Sequence, residues 1–90
     1  MLVTKPLTFS GDHLEMNLDA SAGSARVELQ EIDGRPILGF GLTDNVQLRE
    51  NHTSAQVRWR SGKSLAALAG RPLRLRVELN NARLFAFQFK

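Results

Sequence analysis

The stretch Leu73-Arg74-Leu75-Arg76-Val77-Glu78-Leu79-Asn80 decides the fold. Leu73, Leu75, Val77 and Leu79 share one parity, and Arg74, Arg76, Glu78 and Asn80 share the other. That period of two gives an extended strand one dry face and one wet face, whereas a helix would mix the two sets around its circumference. The same rhythm continues beyond a short polar break, where Phe85, Phe87 and Phe89 alternate with Ala86, Gln88 and Lys90. The three phenylalanines are expected to point into the core.

Upstream, Val57 and Trp59 face one way while Arg58 and Arg60 face the other. Between that strand and the Leu73 strand, Leu65-Ala66-Ala67-Leu68-Ala69 has room for one helical turn closed by Gly70. Thr43–Ser54 is the longest stretch with little apolar content and reads as a loop. Phe40 and Leu42 alternate just before it. Asp33-Gly34 is the strongest hairpin signal, since both residue types tolerate the positive φ of a tight turn. Pro36 belongs at the start or edge of a strand because it cannot donate a ladder hydrogen bond.

Nearer the N-terminus, Ala25, Val27 and Leu29 alternate with Arg26, Glu28 and Gln30, and Leu14, Met16 and Leu18 alternate with Glu15, Asn17 and Asp19. The small residues from Ala20 to Ser24 read as a loop between these two strands. Leu7 and Phe9 form a first strand, closed by a turn at Gly11-Asp12. One dry and one wet face per strand is the mark of antiparallel sheets packed on one another. No segment is long enough to supply the crossover helices of a parallel sheet. The expectation is an all-β fold, a small antiparallel β-sandwich of jelly-roll type with six to seven strands, filling one domain over residues 1–90.

Composition sets the outer limits. The 90 residues carry 12 basic and 9 acidic side chains, a net charge of +3, and no cysteine. Without cysteine there is no disulfide framework, zinc–thiolate site or thiol nucleophile. No apolar run approaches the roughly 20 residues that span a bilayer as a helix, so no membrane partner is expected. Charge is uneven along the chain. Residues 1–45 hold three basic residues against seven acids, whereas residues 46–90 hold nine against two. Arg58, Arg60, Arg74 and Arg76 would form an outward basic stripe if their strands were neighbours. Single-strand binders interleave such charges with exposed aromatic platforms, and here the aromatic parity is inward, which argues against nucleic acid.

Catalytic patterns are missing. His13 and His52 lack companions at ligand spacing, so no metal is expected. The sequence has no Gly-x-Ser-x-Gly elbow, phosphate loop or dinucleotide fingerprint, so neither a cofactor nor a catalytic residue is assigned. Nothing singles out a carboxylate pair of the glycosidase kind among the nine acids. Trp59 is the sole tryptophan. Its parity with Val57 makes it a core residue first and a sugar-stacking platform second. The carbohydrate-contact candidates are Trp59 together with Asp44, Asn51 and His52 of the polar stretch.

Thr4-Lys5-Pro6-Leu7, then Phe9, Gly11, Leu14 and Asn17, Gly23-Ser24 with Val27-Glu28, Asp33-Gly34, Pro36 and Gly39-Phe40 form an ordered series. Trp59, Leu68-Ala69-Gly70 with Pro72, Leu75-Arg76, and Ala82 with Leu84, Phe87 and Phe89 continue it. The series resembles the C-terminal β-sandwich attached to the five-bladed propeller of family 32 glycoside hydrolases. The resemblance implies a non-catalytic accessory module of a carbohydrate-active protein, with a structural and association role and weak or no carbohydrate binding by itself, and leaves the compartment open. It departs at Thr43-Asp44, where such proteins often carry Asp-Cys. It also implies a strand before Thr4 that this chain lacks, so that the chain is a fragment whose exposed strand edge makes it a homo-oligomer. A polyanion-binding β domain and a purely structural self-associating domain are the alternatives.

Overall fold

The computed structural model describes residues 2–90, apart from the side chain of Thr53. Its frame is a ribbon bent in the middle. Strand β2 (Leu14–Gln30) runs for 17 residues, and β4 (Arg74–Asn80) and β5 (Arg83–Phe89) follow one another antiparallel along one side of it. The first half of β2 also pairs with β3 (Leu48–Gln56) on its other side, and the short β1 (Leu2–Val3) pairs with β4. All five strands are antiparallel and belong to one sheet. Counting β2 by its two halves, each with its own neighbours, gives six segments in the all-β, sandwich-like arrangement expected.

Irregular backbone gathers midway along the sheet. The register of β2 against β3 slips between Ala20 and Ala25, Glu50 of β3 takes a positive φ of 74°, and Asn81 between β4 and β5 takes one of 50°. Gly23 sits in this region so close to the Asn80 carbonyl that any Cβ there would overlap the oxygen. The small residues Ala20–Ser24 therefore let one strand turn the corner; they do not separate two strands, as their composition suggested. Bending a strand across the corner in this way lets one sheet supply both layers of a core.

The core follows the period-two pattern. Leu14, Met16 and Leu18 from the first half of β2 meet Val27 and Leu29 from the second, with Leu73, Leu75 and Val77 of the β4 segment. All are essentially water-free. Opposite pairs Val27–Val77 and Leu29–Leu75 stand face to face across the ladder. The Asp33-Gly34 turn forms as expected, with Gly34 at a φ of 94° and its N–H donating to the Glu31 carbonyl at 2.9 Å. The expected helical turn is a 3-10 turn at Leu65–Leu68, and the Ser64 hydroxyl caps it by accepting from the Ala66 N–H at 3.2 Å.

Three expectations fail. Leu7 forms only an isolated bridge to Leu73 and Phe9 pairs with no strand, and the Arg58-Trp59 segment likewise forms only a bridge, Trp59 to Asn45. The polar stretch 43–54 is half strand, because β3 begins at Leu48 and its polar residues Asn51 and His52 pair with Asp19 and Leu18. Finally, only one of the three C-terminal phenylalanines is covered. Phe89 stacks on Phe9 with ring centres 4.2 Å apart, whereas Phe85 is 60% exposed and Phe87 36% exposed. Parity put them on the core side, but a break in register takes Phe85 out of the alternation, and β5 is the last strand of its layer, so too little lies over Phe87.

Candidate functional site

Two regions break the simple rule of one dry and one wet face, and they do so in opposite ways. The first is the second half of β2, which is buried on both faces. Its nominally wet side carries Arg26, Glu28 and Gln30 opposite Glu78, Arg76 and Arg74 of β4. Glu28 is only 4% exposed. The loop over residues 36–44 lies across it, held where Leu29 N–H donates to Phe40 O and Ile37 N–H donates to Leu29 O, both at 2.9 Å.

The buried carboxylate is fully engaged. Glu28 Oε2 accepts from the Gln30 amide at 2.6 Å and faces the Arg76 guanidinium at 3.5 Å. Glu28 Oε1 accepts from the Leu42 backbone N–H at 3.2 Å. A buried charge without such partners would cost several kcal/mol, so the ring of donors is what allows Glu28 to be there. Its chemistry is structural: it pins the 36–44 loop to the sheet.

The free edge beside Val27 is closed by side chains instead of a strand. Asn45, 2% exposed, accepts from the Val27 N–H through Oδ1 and donates to the Arg58 carbonyl through Nδ2, each at 2.9 Å. The Trp59 indole N–H donates to the Val27 carbonyl at 3.1 Å. One amide and one indole thus do the work of a missing strand at this residue, satisfying both Val27 backbone groups. Among the described residues no buried side-chain polar atom lacks a partner.

This closure fixes where the predicted site residues stand. Trp59 is half-buried, its ring edge-on to Phe40 with centres 5.3 Å apart, and one side borders a shallow cleft with Asp12, Gln56, Lys63 and Ser64. Asp44 lines a different cleft, beside Gly41 and Glu28. Asn51 is exposed on β3, and His52 is half-buried with its ring nitrogen bonded to the Arg49 carbonyl at 2.5 Å. Asp44 and Trp59 are brought near each other through the Asn45–Trp59 bridge but open onto separate clefts, and Asn51 and His52 sit apart on the strand.

The basic stripe does not form as one surface. Arg58 and Arg60 follow β3, whereas Arg74 and Arg76 lie in β4, on the other side of β2. Arg74 donates to Ile32 O at 2.9 Å and Thr4 O at 3.1 Å, and Arg76 faces Glu28. Among the described residues no three His, Cys, Asp or Glu side chains gather as a metal set, and no helix is long and apolar enough to cross a membrane.

The second region is β5, which is open where β2 is closed. Its phase follows from its end: Lys90 and His13 exchange backbone hydrogen bonds of 2.9 and 3.1 Å. Antiparallel ladders alternate bonded and non-bonded pairs. In the unbroken register Leu14–Phe89, Glu15–Gln88, Met16–Phe87, Asn17–Ala86, the backbone groups of Gln88 and Ala86 therefore point to β2. Those of Phe87 and Phe89 point the other way. Among the described residues no strand pairs with that side. Phe85 is the extra residue of a bulge, skipped between the Asn17–Ala86 and Leu18–Leu84 pairs.

The strand is well tied to its inner neighbour. Lys90 Nζ meets Glu15 Oε1 at 3.1 Å, and Ser54 Oγ donates to the same oxygen at 3.3 Å. The Lys90 hydrogen bond holds the Glu15 carboxyl below the usual range. An anchored strand with exposed phenylalanines and a free row of amides is the candidate functional site. Sequence parity missed it, because period two cannot tell a core strand from a last strand. The one available signal was crowding, with three large rings alternating within five residues.

No family model, curated protein or solved structure matches this chain. The resemblance to the sandwich of family 32 glycoside hydrolases is corrected accordingly. The strands form one sheet folded about β2 and not closed on itself, and the matched residues are turn and alternation positions that such a sheet requires whatever its ancestry.

Proposed function

We propose that this chain is a non-catalytic, self-associating β module that works through the outer edge of β5. The observation that carries the reading is the unpaired row of Phe87 and Phe89 backbone groups beside the exposed rings of Phe85 and Phe87. Unpaired edges of this kind are templates for another strand, and soluble folds ordinarily blunt them with charge, proline or cover. Here Arg83 and Lys90 stand only at the two ends, and the middle of the strand is apolar.

Magnitudes set the strength. A phenylalanine ring offers about 150–250 Å² in all. With Phe85 60% and Phe87 36% exposed, a few hundred Å² per copy at most is available, against roughly 800 Å² per partner in a standard stable complex. The association is therefore weak and reversible. Each copy also carries a charge of +3, so added salt should strengthen it by screening repulsion. Polyanion binding would respond to salt in the opposite sense.

Sedimentation equilibrium from micromolar to millimolar concentration tests the reading. The mass should rise above 10.0 kDa with concentration, and Phe85→Lys should abolish the rise while leaving the fold intact. A well-folded monomer at every concentration and salt would refute it.

A second reading, carbohydrate contact, draws on the cleft where Trp59 meets Asp12, Gln56, Lys63 and Ser64. Aromatic walls with polar neighbours suit sugar rings. A glycan screen against wild type and Trp59→Phe tests it, and an empty screen rejects it.

A further inference from the structure

Resting on the β5 reading above, we propose that the partner strand is β5 of a second copy, paired antiparallel about a two-fold axis at Phe87. Phe85, Phe87 and Phe89 are symmetric about Phe87, and in a two-fold antiparallel pair each residue meets its mirror position. Centring on Phe87 sets Phe87 against Phe87 and Ala86 against Gln88 within the unbroken part of the strand, and brings the bulged, exposed Phe85 to the level of Phe89 of the second copy. Aromatic pairs directly opposite are among the favourable cross-strand combinations.

Hydrogen-bond phase permits this register. Phe87 and Phe89 are the residues whose backbone groups face outward, so the bonded pairs of a new ladder must be built from them. A Phe87–Phe87 pair meets that condition, and Ala86 then stands opposite Gln88 of the second copy as a non-bonded pair. Centring one residue later, on Gln88, also keeps the phase, but it carries Phe85, the most exposed ring, past Lys90. Charge is accommodated as well. With Phe87 at the centre, Lys90 lies opposite Leu84 of the second copy and remains tied to its own Glu15, and Arg83 falls beyond the paired stretch. No like charges stand face to face.

The faces agree too. Phe87 and Phe89 lie on the same side of the sheet as Met16 and Leu14, their partners in β2. Pairing at β5 therefore continues each core across the axis, and the incompletely covered ring of Phe87 becomes an interior one. The available area still makes this a fast-exchanging dimer.

Cross-linking reads the register directly, because the chain has no cysteine of its own. Opposed residues in an antiparallel pair have Cα atoms roughly 4.5–5.5 Å apart, within the span a disulfide bridges. Ala86→Cys and Gln88→Cys alter exposed positions and leave the core untouched. Mixed and mildly oxidised at millimolar concentration, they should give disulfide-linked dimer several-fold above either variant alone, and Phe87→Cys should cross-link with itself. Self-linking of Gln88→Cys or Ala86→Cys alone would overturn the register, as would a concentration-dependent dimer that no β5 cysteine captures. In both of those cases self-association itself survives. Monomer at every concentration defeats the register and the association together.

Discussion

The second half of β2 and strand β5 are built from the same alternating pattern and end in opposite states. Along Val27 and Leu29 every backbone group has a partner: β4 on one side, and on the other the 36–40 backbone, the Asn45 amide and the Trp59 indole. Even the polar side chains Glu28 and Gln30 are buried and bonded there. Along β5 one row of backbone groups is satisfied and the other faces outward, with rings beside it. The difference lies in what the chain places next to each strand. A burial pattern reports which way a side chain points, and only neighbours decide whether an edge is closed.

The largest effect should come from reopening the closed edge. Asn45→Ala removes an acceptor from the Val27 N–H and a donor from the Arg58 carbonyl in a site that is 2% exposed. Leaving two buried groups unpaired should cost roughly 2–4 kcal/mol, a large part of the stability of a domain this size. Urea denaturation measures it. A loss within about 0.5 kcal/mol, the range of an ordinary surface change, would show that the amide does not replace a strand.

A finer cut separates the indole bond from the indole ring. Trp59→Phe keeps an aromatic side chain against Phe40 and removes only the donor to Val27 O, with an expected cost of about 1–2 kcal/mol. Trp59→Ala removes the ring as well and should cost about 3–5 kcal/mol. If the two variants are equally stable, the packing of Trp59 contributes nothing and its hydrogen bond to the Val27 carbonyl accounts for its whole effect.

On the open strand the same kind of substitution should be nearly silent. Phe85→Lys changes a ring that is 60% exposed, so its unfolding free energy should stay within about 0.5 kcal/mol of wild type while self-association is lost. A destabilised Phe85→Lys would mean that the ring packs in the monomer and that the contrast between the strands is overstated.

The smallest effect concerns the tether of β5 to β2. The hydrogen bond from Lys90 holds the Glu15 carboxyl below its ordinary value. A carboxyl lowered on folding adds stability that is present above its unfolded pKa and disappears as the pH falls through the folded value. Lys90→Ala should therefore move the Glu15 titration upward, toward the ordinary carboxylate range, and make the C-terminal end of β5 less sensitive to acid. A carbon-detected NMR titration of Glu15 that is unchanged in Lys90→Ala would remove the tether from the account.

Much of the fold was legible in the residues. Period two announced Leu14–Leu18, Val27–Leu29 and Leu73–Leu79 as core lines, and Asp33-Gly34 announced its turn. Strand identity was less so, because Ala20–Ser24 has the composition of a loop and the geometry of a bend: Gly23 is there for the approach of Asn80, which no local pattern encodes. Asn51 and His52 read as loop because they are polar, yet they complete a strand whose partners Asp19 and Leu18 lie more than thirty residues away in sequence. Asn45 gave no sign of its role, since an asparagine that imitates backbone looks like any other polar residue. For β5 the side-chain parity was readable and the exposure was not, because exposure depends on which strand is last in the sheet.

Amide hydrogen exchange at successive residues of β5 tests the central claim most directly. In dilute solution Ala86 and Gln88, bonded to β2, should exchange slowly, and Phe87 and Phe89 should exchange at rates close to open-chain values. As the concentration is raised toward millimolar, Phe87 and Phe89 should gain protection while Ala86 and Gln88 remain as they were. If Phe87 and Phe89 stay unprotected at every concentration, the edge pairs with nothing. If they are already protected in dilute solution, the edge is closed within the monomer and the account is wrong.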